Sequence, residues 1–195
     1  MSAPEFAGRT VVVTATAPGT ALATARLLAA GGARVAFLAP DPRDLPAPLI
    51  KVHTDFADDQ SVRAGVAWAA ELLGGIDLLV NVAGTGTGVG ADRPAGAPQA
   101  NLLGAARTAR AALLYLRRSA APAIVIACPV AATQGLPHSA VELAARELTR
   151  AMAAELAGDR IRVACAGPGT DEQVVAAIAR LARPGSPAHP ETPEE

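Results

Sequence analysis

Aromatic residues make up only 3% of this 195-residue chain, with one tryptophan and one tyrosine. A core made from such a sequence is built of small and branched side chains, with its elements packed closely. Cysteine is scarce too: Cys128 and Cys165 are too few for a disulfide framework or a cysteine metal set. The three histidines, His53, His138 and His189, are scattered, so no metal site is expected. No charge of either sign dominates. Seventeen basic and 18 acidic residues give a net charge of −1, which excludes a basic footprint for nucleic acid or an anionic membrane surface. The opening MSAPEFAGRTVVV carries Glu5 and lacks the long apolar stretch of a secretory signal. No apolar run reaches membrane-span length without an Arg, Asp, Gly or Pro break. These absences lead to the expectation of a soluble cytoplasmic domain with no nucleic-acid or membrane partner.

What is present is an alternation of short β-branched runs with longer helical ones. RTVVVTA (9–15), ARVAFLA (33–39), PLIKVHT (48–54), IDLLVNVAG (76–84), AIVIAC (123–128) and RIRVACAGPG (160–169) read as strands. Helical spacing predicts helices over 21–32, 61–75, 101–118, 139–156 and 171–182, with Val62, Val66, Ala69, Leu72 and Leu73 on one side of the second. Continuous apolar strands alternating with helices call for a parallel sheet covered on both faces, hence a doubly wound α/β fold of about six strands. Ligands then bind beyond the carboxyl ends of the strands. Between the second and third strands PDPRDLPA (40–47) holds three prolines and cannot be helical. A single domain is expected over 1–183, followed by a disordered proline-rich tail, 184–195.

From Arg9 to Ala182 the chain resembles the short-chain dehydrogenase/reductase family. IDLLVNVAG is similar to the family's D-x-L-V-N-N-A-G, and LTRAMAAELAGDRIRVACAGPG to L-T-x-x-L-A-x-E-L…I-R-V-N-x-x-x-P-G. Asn101 stands at the place of the central-helix Asn and Asp55 at that of the adenine-contacting Asp. The resemblance implies a Rossmann-like fold, an NAD(P) cofactor and, among cofactor-contacting positions, Thr14, Gly19, Asp55, Asn81 and Gly84.

The departures from the family lie in the parts that handle chemistry. Its glycine loop T-G-x-x-x-G-x-G reads TATAPGTA (14–21) here. Gly19 alone remains; Ala15 and Ala21 replace the other glycines, Pro18 removes an N–H, and the two methyls are expected to intrude on phosphate oxygens. Ala39 and Pro40 stand where a ribose-binding acid or a phosphate-binding Arg is expected, with Asp41 and Arg43 just beyond. The catalytic Ser corresponds to Pro129, and Y-x-x-x-K either falls on His138 and Glu142 or, the loop before it being short, has lost its Tyr to a deletion just after His138; neither alignment leaves a tyrosine. A carboxylate at the lysine position raises a neighbouring pKa where an ammonium lowers it. The family's lid after PGT and its closing strand are expected to be missing. No cofactor is therefore expected, with NAD(P) binding at most residual.

His138 and Glu142 have two readings. Ser139 with Glu142 fits a capping box that starts the helix, and this reading leads; alternatively, His138 is a general base oriented by Glu142. Cys128 and Cys165 read as small buried hydrophobes, Thr85 to Gly90 as a connecting loop, and Arg107 and Arg110 as a solvated helix edge. Helices 101–118 and 139–156, which in the family pair with the same helices of a second subunit, keep their small and apolar residues. Three functions stay open. The first is a pseudo-reductase or partner subunit in a biosynthetic pathway, acting as a homodimer or heterodimer through those two helices. The second is a non-redox cyclase, dehydratase or isomerase using His138 and Glu142. The third is an NAD(P)-dependent oxidoreductase with atypical residues.

Overall fold

A computed structural model of the chain describes residues 4–16, 19–82, 97–128 and 135–186, the side chains of 97–101 and 135–141 excepted. Six strands, β1 (Thr10–Ala15), β2 (Arg34–Ala39), β3 (Ile50–His53), β4 (Leu78–Val82), β5 (Ala123–Ala127) and β6 (Arg162–Ala166), form one sheet. Their order is β3-β2-β1-β4-β5-β6 and every pairing is parallel. This is the doubly wound Rossmann-like arrangement expected from the alternation. Strand order reverses between β1 and β4, so their carboxyl ends form the switch point where such folds bind ligands.

Alternation along each strand sorts the core into two layers. Val11, Val13 and Ala15 pack with Ala21, Ala25 and Leu28 of α1 (Gly19–Ala30) and with Val174, Ile178 and Leu181 of α5 (Asp171–Ala182). Val12 faces the other way. It joins Val62, Val66 and Ala69 of α2 (Asp59–Leu73), Ala109 and Ala112 of α3 (Ala97–Leu116), and Ala145 of α4 (Gly135–Leu156). Small residues at these contacts let the helices lie close to the sheet. Gly65 of α2 is the tightest: a Cβ there would stand 2.3 Å from Thr54 Oγ1.

Helix ends follow local chemistry. Asp58 caps α2 by accepting from the Gln60 N–H at 2.9 Å, and Gly74 ends it in the left-handed region at φ 79°. Three arginines at the amino ends of strands reach the opposite poles of the helices. Arg34 donates to the carbonyls of Leu72 and Leu73 at the end of α2, and Arg162 to those of Leu181 in the last turn of α5 and of Arg183 and Ser186 beyond it. Arg9 donates to Ala182, Asp77 and Ala121. These contacts satisfy carbonyls that a helix or loop leaves unpaired and set positive charge against the negative helix pole.

Three expectations need correction. The helix predicted from 139 begins at Gly135, because Pro137 is tolerated within the first helical turn, where its missing N–H has no helical partner. Ser139 therefore lies inside α4 and cannot be its N-cap. Among the described residues, Thr170 and Gln173 form a capping box at the start of α5. Leu72 is exposed rather than on the buried side of α2, which consists of Val62, Gly65, Val66, Ala69, Ala70 and Leu73. Residues 40–49 contain no helix, as their prolines require. The loop of Thr85 to Gly90 and nearly all of the proline-rich tail lie outside the described residues. Among the described residues no helix is long and apolar enough to cross a membrane.

Candidate functional site

At the switch point Thr14 and Asn81 stand in register on β1 and β4, both buried. The Thr14 hydroxyl donates to Asn81 Oδ1 at 2.7 Å, and Asn81 Nδ2 donates to the Ala105 carbonyl of α3 at 3.3 Å. The Asn81 amide thus ties two central strands to a helix with both its ends. Phe56 and Gly104 line the same small recess. Asp55 turns its carboxylate onto the N–H of Ala57 at 2.9 Å, making a turn that leads into α2. Gly84 and the side chain of Asn101 lie outside the described residues.

The N-terminus of α1 lies just beyond β1. Gly19, the surviving glycine, opens the helix with φ 26° and open space where a Cβ would stand. The neighbouring alanines do not obstruct as expected. Ala15 and Ala21 are 3% and 0% exposed and belong to the core layer under α1, because they share the inward face with Val13 and Ala25. A contact at this end comes from another helix. Thr20, in the first turn of α1, donates its hydroxyl to Asp171 Oδ1 at 2.5 Å, and Asp171 is the first residue of α5. At the end of β2, Ala39 is buried and no acid follows it directly; Asp41 and Arg43 are paired with each other at 2.7 Å.

At the carboxyl ends of β5 and β6 stand Cys128, Cys165, Glu142, Arg146 and Thr149. Cys128 is fully buried, and burial, with Cys165 and Glu142 nearby, pushes its thiol up to about 12. Burial also raises the Cys165 thiol, against a hydrogen bond with Thr149 and the charge of Arg146. Both remain thiols at neutral pH; Cys128 is buried as expected, whereas Cys165 is only partly buried. Glu142 is ion-paired with Arg146, one helical turn on, at 2.9 Å. His138 stands one turn before Glu142 in the same unbroken helix, with its side chain outside the described residues.

A family profile described as short chain dehydrogenase matches residues 9–179. The chain belongs to the short-chain dehydrogenase/reductase family. It is 30% identical over 183 residues to an L-fucose dehydrogenase of Oryctolagus cuniculus, a match covering 86% of this chain and 64% of that enzyme. It is 33% identical to a cis-4-hydroxycyclohexanecarboxylate dehydrogenase of Sinomonas cyclohexanicum, covering 89% of this chain and 78% of the relative. The chain thus spans just under two thirds of the rabbit enzyme's length. Among solved structures, a short-chain type dehydrogenase/reductase from Mycobacterium marinum superposes with a TM-score of 0.79 at 21% identity, covering 96% of this chain and 94% of that one. At that identity the likeness is one of fold.

Short-chain dehydrogenases hold a nicotinamide dinucleotide across the switch point, its diphosphate at the first helix N-terminus. The described residues at this end do not fit it. The hydroxyl of the first turn is bonded to a carboxylate, the second strand ends without a ribose acid, and Asp55 is engaged in a turn. Sequence reasoning missed Asp171, whose proximity to α1 is set by a crossing between distant elements. It also missed Arg146, although Glu142 and Arg146 sit at the i, i+4 spacing that pairs opposite charges on a helix. Arg110 lies on the solvated edge of α3 as expected, paired at the surface with Asp59 at 3.5 Å, whereas Arg107 is half-buried and donates to the Phe56 carbonyl at 3.2 Å.

Proposed function

We propose that this chain is a short-chain dehydrogenase scaffold without hydride-transfer chemistry that works by association. It acts as a homodimer, or as the partner of an active relative, in a cytoplasmic biosynthetic pathway. The observation that carries this reading is the Glu142–Arg146 pair. By its resemblance the family needs an ammonium at this point of α4 to hold a neighbouring hydroxyl near ionisation. A carboxylate committed to Arg146 supplies no such charge and opposes the ionisation of any hydroxyl brought beside it. Association has its own support in the groove between α3 and α4, lined by Leu103, Leu113, Leu148, Met152 and Leu156 and edged by Arg107, Arg110 and Glu155. Leu103 is 55% exposed there, and an apolar strip with a charged rim suits a subunit contact.

Sedimentation and co-purification test the reading, with a dehydrogenase assay over a panel of secondary alcohols and both nicotinamide cofactors. The expected result is no turnover and a dimer, or a complex with a relative, that Met152→Glu dissociates while the far-ultraviolet circular dichroism is preserved. A monomer without a partner, or steady cofactor turnover, contradicts it. A second reading draws on the unbroken start of α4, which sets His138 one turn from Glu142. In that reading the pair does non-redox acid–base work. Loss of a pathway step in His138→Ala with the oligomer intact decides for it.

A further inference from the structure

We infer that Asp171 is a resident anion: its carboxylate takes the N-terminus of α1, so a phosphate arriving there meets a negative charge. The first turn of α1 contains no acidic residue of its own. Its unpaired N–H groups and the positive end of its dipole therefore seek a counter-charge from elsewhere. Asp171 supplies it from across the layer, through the bond from Thr20 Oγ1 at 2.5 Å. Thr20 is only 5% exposed while Asp171 is exposed, so the bond is covered on the α1 side and the carboxylate keeps contact with solvent, where salt screens its charge.

The carboxylate is held in place from both sides. Thr170 and Gln173 form a reciprocal capping box that fixes the backbone on either side of Asp171. Ala21 and Ala25 of α1 belong to one core layer with Val174 and Ile178 of α5. The short link from β6 to α5, residues 167–170, is what brings the first residue of α5 to this point. A longer segment between them would release Asp171 from that position. One side chain thereby lies at the start of two helices, α1 and α5, and is favoured by both dipoles.

This inference rests on the reading that the chain holds no dinucleotide, and assigns the cause to charge. The methyls of Ala15 and Ala21 are turned into the core and do not block the approach. A Cβ added at Gly19 would meet nothing among the described residues. Removing the charge of Asp171 therefore makes the α1 end competent for an inorganic diphosphate, by returning an uncompensated helix N-terminus.

The experiment is calorimetric titration of the full chain with inorganic pyrophosphate and, separately, with NADH, using wild type, Asp171→Ala, Asp171→Asn and Thr20→Val. Asp171→Asn keeps an acceptor for Thr20 while removing the charge, and decides the matter if Asp171→Ala does not fold. The expected result is pyrophosphate binding at least about tenfold tighter in the two Asp171 variants than in wild type, a change of about 1.4 kcal/mol, weakening as salt is raised. Thr20→Val, which keeps the carboxylate, should behave as wild type. Folded Asp171 variants that bind pyrophosphate no tighter than wild type overturn the inference and leave the proposed function standing. Wild type that binds NADH tighter than about 100 μM overturns both.

Discussion

Replacing Arg9 by methionine removes a guanidinium from a residue that is 8% exposed. It donates to the carbonyls of Ala121 at 2.9 Å, Asp77 at 3.1 Å and Ala182 at 3.4 Å. Two of these bonds have good lengths and the third is weak. Hydrogen bonds to a charged group contribute roughly 1.5–3 kcal/mol each, so the gross loss is about 4–5 kcal/mol. Part of it is returned, because burying the guanidinium has a cost. That cost shows in the Arg9 pKa, which burial lowers against the raising effect of Asp77. Methionine also keeps an apolar stem in place of the arginine methylenes. The expected net loss is about 2–3 kcal/mol, a fall in Tm of roughly 5–10 °C for a domain of this size. Urea unfolding followed by circular dichroism and by Trp68, the single tryptophan, measures it at fixed protein concentration, since any dimer couples stability to concentration. Arg9→Lys should fall between, as a point charge serves fewer carbonyls at once. A loss below about 0.5 kcal/mol in Arg9→Met would refute the view that strand-start arginines hold the helix ends.

Other perturbations follow from neighbouring observations. Burial alone would raise the Asp77 carboxyl, but hydrogen bonds from Ser119 and Thr10 and the charge of Arg9 leave it lowered. A depressed carboxyl contributes stability that is present above its unfolded value near pH 4 and lost as pH falls through the folded value. Asp77→Asn should therefore lower stability at neutral pH and flatten the acid limb of the stability–pH curve; an unchanged limb contradicts the assignment. Gly65→Ala should destabilise by about 1–2 kcal/mol despite alanine's better helix propensity, because its methyl meets Thr54 Oγ1. The Thr54 hydroxyl is buried with no hydrogen-bond partner among the described residues. Thr54→Val should therefore be neutral or stabilising by up to about 1 kcal/mol in urea melts. Cys128, its thiol raised to about 12, should react with a thiol reagent only at the rate of unfolding. Rapid labelling of the native chain at neutral pH would count against its burial.

Much of the frame was legible because it depends on short-range pattern. The runs VVV, VAFL, LLVNV and AIVIA are apolar on both faces, and only a covered parallel sheet makes use of that. Three prolines between Ala39 and Pro48 were enough to exclude a crossover helix. Helix starts were read less well. Ser139 and Glu142 have the spacing of a capping box, yet Pro137 lets the helix begin before them, while the box at Thr170 and Gln173 went unread. The candidate site was the least legible part. Whether Ala21 faces a ligand or the core depends on the rotation of α1 over the sheet. Asp171 meets Thr20 across 151 positions of chain, and no local periodicity encodes such a contact. Glu142 was read opposite the family's lysine, and its partner Arg146 lies one turn further along the helix.

The central claim is that a dehydrogenase fold is kept here while the cofactor and its chemistry are not. Its most direct test is a fluorescence titration of the purified wild-type chain with NADH and NADPH. The account predicts no saturable binding tighter than about 100 μM for either nucleotide. Saturable binding below that concentration, competed by the oxidised cofactor, contradicts it.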